Sequence, residues 1–167
     1  MEILKQIERT REYLDYIQEH FENVQKCWEI MKEKCNCIFR KIDIDKIEKE
    51  IQNHDLSKLS EFEFVQYRKA FYPTEKESNS GEYDFTKAWE NHKRSNSHHW
   101  QNWTRKNNNW VINCVCMVVD WMAMGLKFGG TAESYYESKK SGIKIPIEMV
   151  PFMENIFKNS HLSQFFS

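Results

Sequence analysis

The sequence predicts an all-α protein: a compact single-domain bundle of about six to seven helices spanning residues 1–167. Three observations predict it. Apolar residues recur at three- and four-residue steps through most of the chain. Cap residues stand where those patterns begin, and glycines or prolines where they stop. No segment alternates in the manner of a strand, and there is no internal repeat or low-complexity tract.

The elements follow in order. Ile3, Ile7, Leu14, Ile17, Phe21, Val24, Trp28, Met31, Cys35 and Ile38 form one helical seam, either continuous or broken near Cys35-Asn36-Cys37. Asp43 is a good N-cap for a helix through Ile47 and Ile51 to His54-Asp55. A third helix is expected over residues 57–71. Pro73, Ser78, Asn79, Ser80 and Gly81 make residues 72–83 read as an exposed loop, with 73–82 the one candidate for a disordered insert. Asp84 opens a helix carrying Phe85, Ala88, Trp89 and His92, which Arg94-Ser95-Asn96-Ser97 ends, so that His98-His99-Trp100 falls at a turn or at the start of a short helix. Residues 110–128 are apolar nearly all round and predict the central buried helix, stopped by Gly129-Gly130. Thr131 caps a helix ending at Gly142, and Pro146 starts a last one to about Lys158.

Composition narrows the function classes. Hydrophobic residues at 40% and charged residues at 29% describe a folding chain, not a disordered one. The formal net charge of -1 argues against an extended nucleic-acid partner but leaves room for a local basic pocket. The N-terminus is charged and amphipathic, without the apolar run of a secretory signal. The longest apolar stretch, 111–128, is interrupted by Asn113, Asp120 and Lys127, so no membrane span is expected. Five cysteines, an odd number, read as reduced thiols in a cytoplasmic protein. Cys35-x-Cys37 and Cys114-x-Cys116 point apart on a helix and read as small apolar residues in preference to zinc ligands. The long N-terminal seam could pack internally or against a second copy, which keeps a homo-oligomer open.

The informative string is Asn53-His54-Asp55-Leu56-Ser57-Lys58-Leu59-Ser60-Glu61. On a continuous helix His54, Lys58 and Glu61 would share a face. Imidazole nitrogen beside carboxylate oxygen suits zinc, iron, manganese, cobalt or nickel, with magnesium less well matched. The dipeptide alone fits equally a polar helix end held by an Asp55–Lys58 ion pair. Asp120 weighs against that plainer reading, because a carboxylate in a buried helix needs a cation, whether Lys, Arg or a metal. His20, His92 and the His98-His99 doublet complete an ordered set of donors spread over several helices, as metal sites in bundles require. The set implies one or two divalent transition metal ions. Trp100, Trp103 and Trp110 either pack the core or stack on a nucleobase.

The order His, His-Asp, then a late Asp on a helix resembles the HD superfamily of metal-dependent phosphohydrolases. That resemblance implies an HD-like helical domain in which His20, His54, Asp55 and Asp120 hold a first metal. The form His-Asp-x-x-Lys followed by further histidines is similar to the branches with two or more metals, the HD-GYP phosphodiesterases and the di-iron oxygenases. It implies that His92 with His98 or His99 holds a second ion and that Lys58 contacts a substrate oxyanion. The Gly-Tyr-Pro string of HD-GYP proteins is missing after the doublet, which counts against cyclic-di-GMP as substrate. The strings HDLSKLSEFE, AWENHKRSNSHHWQNW and VVDWMAMGLKFG are also similar to a family of small bacterial and phage proteins of unknown function, over roughly residues 20–136.

The leading expectation is therefore a phosphohydrolase acting on a nucleotide or other small phosphate ester. Metal-activated water would be the nucleophile. Asp55 and Lys58 would be catalytic, and Lys58, Arg94 (or Arg68), Trp100 and Trp103 would bind substrate. Glu61 would either orient a ligand histidine or stand exposed. Two other classes fit the same residues: a di-iron oxygenase, and a non-catalytic protein that sequesters a phosphorylated ligand.

Overall fold

In a computed structural model, residues 1–81, 83–103 and 109–160 are described. Among them are nine α-helices and no strand: α1 Glu2–Lys34, α2 Asn36–Phe39, α3 Ile44–Gln52, α4 Glu61–Phe71, α5 Glu75–Ser80, α6 Phe85–Ser95, α7 Trp110–Phe128, α8 Ala132–Lys139 and α9 Val150–Asn159. Three 3-10 turns, Leu56–Leu59, Trp100–Asn102 and Ile147–Met149, lie between them. The all-α class is the expected one. The count exceeds six to seven because the N-terminal seam is broken into α1 and α2, the second of its two expected forms, and because α5 stands where a loop was expected.

Several boundaries follow directly from local chemistry. The N-terminal seam breaks at Cys35, so α1 and α2 are separate. The Asp43, Asp84 and Thr131 side chains accept from the backbone N–H groups of Lys46, Lys87 and Ser134, satisfying donors that have no partner inside the helix. Gly129 leaves α7 with φ 86°, a conformation that a Cβ disfavours. The expectation of a loop at 72–83 is corrected: Thr74 and Glu77 form a reciprocal capping box that starts α5 despite the Ser, Asn and Gly around it. Residue 82 of that stretch lies outside the described residues. The expected helix from 43 to 55 also stops early, at Gln52.

The chain divides into two compact units, each built from two segments. The first comprises Met1–Phe21 and Asp55–Asn96. Its core is aromatic: Tyr13, Ile17, Tyr67 and Ala88 are buried, with Tyr16, Phe21, Phe64, Tyr72 and Phe85 packed on them. Here the buried Arg68 guanidinium forms a two-pronged ion pair with Glu77. Arg68 is thereby committed to holding α5 on α4.

That pair has a pH signature. The Arg68 hydrogen bond holds the Glu77 carboxyl at about 2, far below its ordinary 4.5. A depressed folded-state pKa contributes stability that is complete above the unfolded value and is lost as the pH falls through the folded one. Unfolding in urea should therefore show a loss on the order of 2 kcal/mol between pH 5 and pH 2 that Glu77→Gln removes. Identical pH profiles for the two proteins would show that the pair contributes nothing.

The second unit comprises Glu22–His54 and Ser97–Ser167. Its core is larger and mixes aliphatic, sulfur-containing and aromatic side chains, built on Trp28, Met31, Ile47, Ile51, Met153 and Ile156 around the buried face of α7. At 19 residues α7 is long and apolar enough to cross a membrane, contrary to the reading of 111–128 as too interrupted. Asn113, Asp120 and Lys127 do not break its apolar character, and most of the helix is buried in the unit's own interior. Cys27, Cys35, Cys114 and Cys116 are buried free thiols serving as core, while Cys37 is exposed.

Candidate metal sites

In the first unit the key residue is Asp55. Its backbone has φ 56°, the one left-handed non-glycine residue among those described. Aspartate tolerates this conformation better than most side chains. The turn ends the helical path before Leu56, so the helix face expected to run from His54 through Lys58 to Glu61 does not exist. A 3-10 turn takes its place, and Lys58 curls back to put its Nζ 2.6 Å from Asp55 Oδ2. The Asp55–Lys58 ion pair of the plainer sequence reading is present.

Two histidines flank the same carboxylate on opposite oxygens. His20, on α1, brings Nε2 to 3.4 Å from Oδ2. His92, on α6, brings Nε2 to 3.2 Å from Oδ1. Asp55, His20 and His92 are each 2% exposed, and Lys58 8%.

The orientation of His92 is fixed from behind by a residue that sequence reasoning missed. Glu63, fully buried on the first turn of α4, places Oε2 3.0 Å from His92 Nδ1. The same carboxylate accepts from Ser57 Oγ at 2.9 Å and from Asn91 Nδ2 at 2.7 Å. Asn96 Nδ2 donates to Ser57 Oγ and to the His92 carbonyl, both at 2.8 Å. Burial pushes the Glu63 carboxyl up, but the hydrogen bonds from His92, Asn91 and Ser57 outweigh it and keep the group below its usual value. Glu63 is therefore an ionised acceptor, and His92 Nδ1 donates to it. Glu61, the acidic residue singled out from the sequence, is exposed.

This arrangement gives a test of fit for a metal. With Nδ1–H turned to Glu63, a neutral His92 presents the lone pair of Nε2 toward Asp55 Oδ1. Two lone pairs 3.2 Å apart repel unless a proton or a cation lies between them. Burial lowers the His92 pKa, yet hydrogen bonds to Asp55 and Glu63 outweigh it and hold the imidazole above its ordinary value. Charge counting agrees. Two buried carboxylates face one buried ammonium, which leaves one negative charge unbalanced when both imidazoles are neutral. A divalent cation satisfies the lone pairs and the charge together, and nitrogen–oxygen donors of this kind suit a borderline transition metal.

The second unit holds the other expected donors. His54 Nε2 lies 3.3 Å from Asp120 Oδ1 on α7, and the Asp120 side chain is 17% exposed. Asp120 thus meets an imidazole where the sequence left Lys, Arg or a metal open. The His98 ring stacks on His54 with centroids 4.1 Å apart, and His99 follows at 4.2 Å from His98. The donor atoms of His98 and His99 lie within 4.8 Å of each other. His54 and Asp120 thus form one contact pair, with the His98-His99 doublet stacked on the His54 ring.

Residues 9–161 match the model of a protein family. The chain belongs to DUF5662, a family of unknown function. The DUF5662 match takes in every donor named above, from His20 on α1 to Asp120 on α7, and so exceeds the span of 20–136 read from the sequence strings. No curated protein and no solved structure matches the chain.

Arg94 is exposed on α6. Trp100 and Trp103 are half-buried against the core of the second unit, as is Trp110, and the Trp103 indole Nε1 donates to the Ser97 carbonyl at 2.8 Å. This is the core-packing alternative for the tryptophans. Lys58, also expected to contact substrate, lies in the buried cluster around Asp55.

Proposed function

We propose that this chain is a metal-dependent phosphohydrolase acting on a small phosphate ester. The observation that carries the reading is the Asp55 carboxylate, buried, left-handed in backbone, with a histidine against each oxygen and Lys58 beside it. A carboxylate so flanked would be a ligand to a metal ion, which would supply positive charge at this buried site. His20 and His92 would be ligands with it, and the His54–Asp120 pair and the His98-His99 doublet are further donors of the same chemistry. The likeness of the His-Asp-x-x-Lys string to the HD superfamily supports the same reading.

Bound metal supplies neutralising charge to phosphoryl oxygens and lowers the pKa of water toward neutrality. The protein's own groups do the rest. Glu63 holds the His92 ring so that Nε2 is the ligating atom. Lys58 pairs with a phosphoryl oxygen as that oxygen gains charge. Asp55 accepts a hydrogen bond from the attacking water and aligns it.

Elemental analysis of the purified protein should find about one to two equivalents of transition metal per chain, and chelation should abolish phosphate release from an ester panel that reloading restores. Metal-loaded protein inert across that panel overturns the reading. A di-iron oxygenase draws on the same doubly flanked carboxylate, and it would show oxygen uptake by iron-loaded protein instead. Tight capture of a phosphorylated ligand that is recovered unaltered would point to sequestration.

A further inference from the structure

The first unit contains two buried hydroxyls that its packing does not explain. Tyr13 on α1 is fully buried and Tyr67 on α4 is 6% exposed. Neither hydroxyl has a hydrogen-bond partner among the described residues. A buried hydroxyl left without a partner is destabilising, and phenylalanine would fill the same space without that penalty. Two such groups on two helices of one small core ask for a common reason.

Their surroundings supply one. Burial raises the pKa of both phenols, and Lys58 opposes the rise at each, while Asp55 and Glu63 add to it. The two hydroxyls therefore stay protonated, as donors, and both lie in the field of the same polar centre. Lys58 Nζ sits 5.9 Å from the centroid of the Tyr67 ring and 5.8 Å from that of Tyr16. Each flanking histidine also has a tyrosine against it. Tyr16 stacks on His20 with centroids 6.3 Å apart, and the Tyr67 ring is 5.6 Å from that of His92.

We propose that the Tyr13 and Tyr67 hydroxyls donate hydrogen bonds to an oxyanion and form, with Lys58, a three-donor cradle for a phosphoryl group beside Asp55. The phosphoryl identity of the anion rests on the phosphohydrolase reading. The ammonium supplies charge, and the phenols supply directed donors that burial keeps from ionising.

Titration calorimetry with inorganic phosphate tests this on metal-loaded wild-type protein, Tyr13→Phe, Tyr67→Phe and the double variant, beside their melting temperatures without phosphate. Each single variant should melt at or above the wild-type temperature yet bind phosphate about tenfold more weakly, and the double variant about a hundredfold more weakly. Wild-type phosphate affinity in the double variant overturns the cradle. So does a lowered melting temperature without phosphate, which would mean that the hydroxyls have a structural partner, or a wild-type protein that does not bind phosphate at all. The two readings fail separately. Tyrosine-dependent phosphate binding without turnover of any ester leaves the cradle and removes the hydrolase. Turnover that the double variant retains removes the cradle and leaves the hydrolase.

Discussion

Replacing Asp55 by asparagine should lower phosphate release by about 10^3-fold or more while leaving the fold intact. The choice of substitution matters. Asparagine accepts the left-handed backbone at φ 56°, whereas alanine there would add roughly 1–2 kcal/mol of strain and confuse a folding defect with a chemical one. Asparagine also takes from Lys58 the carboxylate that its Nζ meets at 2.6 Å. The metal-free variant should therefore melt somewhat below the wild-type temperature. What it should lose is the rise in melting temperature on adding metal, since a ligand that binds the native state stabilises in proportion to its affinity. Thermal melts with and without metal, beside the turnover assay, separate these effects. An Asp55→Asn protein that keeps the metal-induced rise would remove Asp55 from the ligand set.

The second large effect is expected at Glu63. Its carboxylate is fully buried and ties Ser57 and Asn91 to His92. Glu63→Ala strips a buried anion from a protonated or metal-ligating imidazole and leaves two further donors without their acceptor, so a loss of about 3–5 kcal/mol in urea unfolding is expected. Glu63→Gln keeps an acceptor of the same size without its charge. It should fold, yet bind metal about 10–100-fold more weakly, because the group behind a ligand histidine sets both its ring orientation and its basicity. Metal titration of the Gln variant checks this directly. Unchanged affinity would reduce Glu63 to a structural role.

Much of this molecule was legible from residue order alone. The apolar run 110–128 could only be a helix, and Asp43, Asp84 and Thr131 announced helices by the chemistry of their side chains. The donor residues could be nominated because buried histidine and aspartate are costly without a purpose. Grouping them was a different matter. Counting turns from His54 offered Glu61 either as the residue behind a ligand histidine or as an exposed one, and the exposed alternative is the one found, because the unbroken helix that the count assumed does not exist. The left-handed Asp55 and the 3-10 turn after it reset the register, and α4 starts afresh at its Ser60 cap. From that cap, Glu63 is the third helical residue, and the Ser60-to-Glu63 spacing was the available signal. Thr74-to-Glu77 carried the same signal for α5, and the composition around it masked it. Both misses come from letting a segment average outweigh a specific pair of residues.

The two units also differ from independent modules in how the chain threads through them. The polypeptide leaves the first unit after Phe21, returns at Asp55, and leaves again after Asn96. No uninterrupted stretch of the gene therefore encodes either unit alone, so recombination cannot transplant one of them into another protein as a cassette. Ribosomal synthesis meets the same constraint, since the first unit lacks its last helix until residue 95 has emerged. The three crossings fall within two residues of His20, of His54 and Asp55, and of His98. An inserted or deleted codon at a crossing would shift a donor out of phase with its neighbours. Length variation among descendants of this gene should accumulate in the connections at 72–74, 129–131 and 140–146 and be purged from the crossings.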